Sequence, residues 1–63
     1  MIVYEKAELE EALRAIKSTL SKCEKAILNL KENSAQYTLT IRRIDALGIS
    51  VELIQRELDR FTD

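Results

Sequence analysis

KENSAQ, residues 31–36, is the clearest break in a chain that otherwise reads as helix. Asn33 is suited to end a helix in the left-handed conformation, and Ser34 is a favoured N-cap for the helix that follows. On the N-terminal side of the break, Leu9, Leu13, Ile16, Leu20, Cys23, Ile27 and Leu30 recur at alternating steps of four and three, an unbroken heptad seam. On the C-terminal side, Tyr37, Thr40, Ile44, Leu47, Val51, Ile54, Leu58 and Phe61 form a second seam of similar length. Glu5, Glu8, Glu10 and Glu11 crowd the start of the first segment, where a helix dipole favours negative charge. Two long amphipathic helices joined by a short loop pack as antiparallel neighbours.

The pattern therefore predicts an all-α fold: an antiparallel two-helix hairpin with coiled-coil-like packing. One domain covers residues 1–63, with helix 1 over about 5–32, a loop over about 33–35 and helix 2 over about 36–61. Its expected core is Leu13, Ile16, Leu20, Cys23 and Ile27 from the first helix, and Tyr37, Ile44, Leu47, Val51, Ile54 and Leu58 from the second.

The composition fits that shape. Of 63 residues, 46% are hydrophobic and 33% charged, with a single Gly and no Pro, too apolar for disorder and too poor in turn formers for an all-β fold. A domain this small often needs disulfides, a metal or a partner chain to be stable. One Cys excludes an intrachain disulfide, and the lack of His makes the usual zinc sites a poor fit, so no metal and no cofactor are expected. A partner chain is the remaining remedy. Ten basic against eleven acidic residues argue against a nucleic-acid partner. The opening MIVYEKAELEE lacks the basic and apolar regions of a signal peptide, and no run is long enough to span a membrane. A free thiol with no targeting segment points to the cytoplasm.

Helix 2 carries more apolar residues than one seam uses. Leu39, Ala46 and Leu53 lie on one side of it, Ile49 flanks them, Arg42 and Arg60 point the same way and Arg56 borders the stripe. Leu39, Ala46, Ile49 and Leu53, with Arg42 and Arg56, are the candidate partner-binding residues. A second apolar face on a helix is normally covered, and helix 1 covers only the seam. Gly48 costs about 1 kcal/mol relative to Ala in a helix interior. The preferred explanation is a close approach of the two helices there; the sharper one is a notch for a partner's side chain.

Catalysis is not expected. General acid–base work at neutral pH usually recruits His, one Gly makes no phosphate loop, and a two-helix hairpin offers no concave apolar pocket of small-molecule size. Cys23, in the seam, reads as a small buried hydrophobe rather than a nucleophile.

Gln36-Tyr37, Arg42, Ala46-Leu47 and Ile54 resemble the pattern of the YscE/PscE-type co-chaperones of type III secretion needle subunits, best over residues 36–54, QYTLTIRRIDALGISVELI. Helix 1 resembles that family only in heptad spacing, length and charge, and Gly48 departs from it where the family has an acidic residue. The resemblance implies a helical hairpin in a cytoplasmic heterotrimer with a TPR-like chaperone and the needle subunit, which the complex keeps unpolymerised. The contrasting expectation is a homodimeric four-helix-bundle regulator, a class that includes RNA binders. Arg42, Arg43, Arg56 and Arg60 alternate with Asp45, Glu52, Glu57 and Asp59, which counts against an RNA surface. Isolated chains are expected to be able to homodimerise through the uncovered stripe.

Overall fold

Ser34 organises the reversal of the chain. In the computed structural model, which describes residues 3–61, its backbone is extended and its hydroxyl accepts from the Tyr37 N–H at 3.1 Å, as the N-cap expectation requires. The same hydroxyl donates to the Lys31 carbonyl at 2.8 Å, tying the loop to the helix it starts. The two helices are α1, Lys6–Ile27, and α2, Ala35–Asp59, and they pack against each other as an all-helical hairpin. Residues 1, 2, 62 and 63 of the expected domain lie outside the described residues.

The first helix ends five residues earlier than the heptad pattern suggests. Past Ile27 the hydrogen bonds tighten: the N–H groups of Asn29 and Leu30 donate to the carbonyls of Ala26 and Ile27, at 3.0 and 3.3 Å. Bonds between residues three apart belong to tight turns, which hold residues i and i+3 on one side much as a helix does. Leu30 thus keeps its seam position, half-buried, although the α-helix has stopped. Spacing alone could not reveal the change. Asn33 does not take the left-handed conformation expected of it: no described residue has a positive φ. Successive turns over 28–34, closed by the Ser34 N–H bonding to the Lys31 carbonyl at 3.0 Å, reverse the chain instead.

At its start, α1 is capped by its own acids, with the Glu5 N–H donating to Glu8 Oε1 at 3.0 Å. Such a bond satisfies one of the backbone donors that a helix leaves free at its N-terminus.

Both seams meet. Leu9, Leu13 and Leu58, each 8% exposed, form the buried cluster, with Val51 and Ile54 packed against it. The rest of the expected core, Ile16, Leu20, Cys23, Ile27, Tyr37, Ile44 and Leu47, is half-buried, as is Thr40. Phe61 departs from its seam: it lies beyond the end of α2 and is exposed. The best-packed part of the hairpin is therefore its open end, away from the loop. The ion pairs Glu11–Arg14, 3.5 Å, and Glu57–Arg60, 3.4 Å, each link one turn of one helix and are well exposed, so each adds at most about 1 kcal/mol. Apolar contact along the seam is what joins α1 to α2.

Gly48 does not mark a close approach of the helices. A Cβ placed on it would meet nothing within 4 Å. The preferred reading of this residue is thereby overturned, since close approach would put atoms of α1 in that space.

The hairpin measures 46 × 20 × 16 Å, with a radius of gyration of 14.4 Å against about 10.6 Å for a compact domain of this length. Its accessible surface of 5360 Å² exceeds the roughly 4,200 Å² of a compact monomer of this mass. A single layer of two helices has one buried side per helix, which is the physical origin of the surplus.

Candidate partner-binding surface

The heptad repeat gives each helix two flanks, one on either side of its seam, and therefore gives the hairpin two broad faces. On one face, Lys6, Glu10, Leu13, Arg14, Lys17, Gln55, Leu58 and Asp59 line a groove of about 490 Å³. Five of its eight lining residues carry charge, so charged side chains rim the apolar surface around Leu13 and Leu58.

The other face is different in character. At the open end, Tyr4, Leu9, Leu53, Ile54 and Glu57 line one groove, and Tyr4, Glu8, Leu9, Ala12 and Ile54 line its neighbour. Near the loop, Ala26, Leu30, Gln36, Leu39, Thr40 and Arg43 line another. Leu53 and Leu39 thus sit at the two ends of one flank of α2, with Ala46 midway between them.

All six candidate residues are exposed. Leu39, Ile49 and Leu53 have 46%, 58% and 55% of their surface in solvent, and Ala46, Arg42 and Arg56 are exposed beside them. Leu39, Ala46 and Leu53 form a row on this face, while Ile49 lies further round, almost opposite the seam, in line with Arg42 and Arg56. The two rows together repeat at alternating steps of three and four: Leu39, Arg42, Ala46, Ile49, Leu53, Arg56, Arg60. That spacing is a second heptad seam on α2, with arginines at three of its seven positions.

Tyr4 escaped the sequence reading. It precedes α1, so no helical period reaches it, yet it borders both open-end grooves and extends the apolar surface beside Leu53. The contribution of α1 was also missed: Ala12, Ala15 and Ala26 share its flank on this side, small residues that carry no hydrophobic signal of their own. Gly48 lies on the opposite flank of α2, level in the heptad with Ile41 and Gln55. Among the described residues, no cluster of His, Cys, Asp or Glu could hold a metal, and no helix is long and apolar enough to cross a membrane.

The fold and this surface define a class: an elongated helical hairpin with one apolar seam closed and a second left open. No family model, curated protein or solved structure matches the chain.

Proposed function

We propose that this hairpin is a small, non-enzymatic co-chaperone that docks α2 on a TPR-like chaperone and, in the cytoplasm, helps keep a type III secretion needle subunit unpolymerised. The observation that carries the reading is the open second seam of α2, with Leu39, Ile49 and Leu53 about half exposed while its first seam, from Tyr37 to Leu58, is already packed. The resemblance over residues 36–54 falls on the same helix and supplies the partner's class. A helical repeat partner offers an extended apolar surface on which an amphipathic helix can lie.

In this reading the hairpin and the chaperone complete each other. Leu39, Ala46, Ile49 and Leu53 fill apolar positions on the chaperone, and Arg42 and Arg56 fix register through acidic groups there. The chaperone grips the needle subunit's helix. Any species that binds the unassembled subunit lowers its free concentration by mass action and so opposes polymerisation. No bond is made or broken.

The test is co-expression of this chain with a TPR-like protein encoded beside it and with the needle subunit, followed by size-exclusion chromatography. A single peak containing all three chains is expected. Elution of this chain apart from the other two would refute the reading.

A further inference from the structure

We infer that, free of other partners, two copies of this chain stack their apolar faces antiparallel into a four-helix bundle, with α1 crossing over α1 about a two-fold axis near Ala15. It does not rest on the co-chaperone reading: the flank of α1 carries it, and the Leu39, Ala46 and Leu53 flank of α2 is covered in the same dimer.

The face of α1 that borders the Leu53 grooves reads Glu8, Ala12, Ala15, Thr19, Lys22, at alternating steps of four and three. That series is close to a palindrome with its charge inverted. Reversed upon itself about Ala15, it sets Glu8 against Lys22 of the second copy, Ala12 against Thr19, and Ala15 against Ala15. Small side chains at the centre let two helices approach to the short end of the usual 8–10 Å. Two hydroxyls on this surface are already satisfied within their own helices: that of Thr19 donates to the Ala15 carbonyl at 3.1 Å, and that of Ser50 on α2 donates to the Ala46 carbonyl at 2.9 Å. Covering these two hydroxyls leaves neither donor unpaired, which removes the usual penalty for burying them.

Charge selects the orientation. Glu8, with Glu57 that also pairs with Arg60, marks the open end of this face, and Lys22 and Arg43 the loop end. An axis across the hairpin brings the acidic end of one copy to the basic end of the other. An axis along the hairpin brings like charges together at both ends. The outline of the face, 46 Å by 20 Å, accommodates the roughly 800 Å² per partner of a standard interface.

The full-length chain tests this directly. Sedimentation equilibrium is expected to show a monomer–dimer equilibrium, and the double variant Lys22→Glu/Arg43→Glu, helical by circular dichroism, should dissociate about tenfold more readily. Orientation is read by oxidation: Ala15→Cys in a Cys23→Ser background should cross-link into a disulfide dimer, whereas Ala26→Cys in the same background should not. A chain that stays monomeric into the millimolar range overturns the inference. So does a dimer that resists the double charge reversal, or one that cross-links through residue 26 and not 15. All of these outcomes are read on the isolated chain, whereas the co-chaperone reading is tested by co-elution with the chaperone, so the two can fail separately.

Discussion

Replacing Gly48 by Ala separates what the fold needs from what its surface offers. Glycine in a helix interior is less favourable than alanine by about 0.8–1.0 kcal/mol, because its backbone loses more freedom on folding. A methyl group is welcome only where it meets open space, and here nothing lies within 4 Å of it. No steric term opposes the gain, so Gly48→Ala should stabilise the hairpin by about 1 kcal/mol. For a chain of this length the unfolding entropy scales to about 130 cal/mol/K, so the midpoint should rise by about 8 °C. Thermal unfolding followed by circular dichroism at 222 nm measures it, at one protein concentration so that self-association does not contribute. A lowered midpoint would refute the reasoning, because it would mean that α1 does close on Gly48. Gly48 lies away from Leu53, so the same variant should dimerise as the parent does.

Other substitutions probe other parts of the account. Ser34→Ala removes both hydrogen bonds of the cap and should cost about 1 kcal/mol in denaturant unfolding; an unchanged midpoint would mean that the cap is idle. Leu58→Ala should cost about 2–4 kcal/mol and leave the chain largely unfolded, whereas Leu39→Ala, half exposed, should stay within about 0.5 kcal/mol of the parent. Equal losses from the two leucines would contradict the assignment of one to the packed seam and the other to the open one.

The hairpin was legible because both seams repeat faithfully. Every seam position from Leu9 to Leu58 is buried or half-buried. What escaped was whatever the heptad period does not encode. Leu30 satisfies the spacing whether the backbone is α-helical or a tight turn, so the end of α1 was placed too late. Asn33 and Phe61 are residues whose types permit the expected roles without enforcing them. Gly48 permits two explanations, and only the emptiness around it removes the close approach. The α2 half of the candidate surface was visible because leucine and isoleucine stand out against charge. The α1 half, built on alanines, and Tyr4, ahead of the helix, had no such signal.

The central claim is that the open seam of α2 is where the chaperone sits. Its most direct measurement is the affinity of the TPR-like chaperone for the parent chain and for Ile49→Asp/Leu53→Asp, by calorimetric titration, with helicity checked by circular dichroism. Two carboxylates in a buried apolar contact should weaken binding by at least about a hundredfold while the hairpin stays folded. A fully helical double variant that binds the chaperone as tightly as the parent would contradict the account.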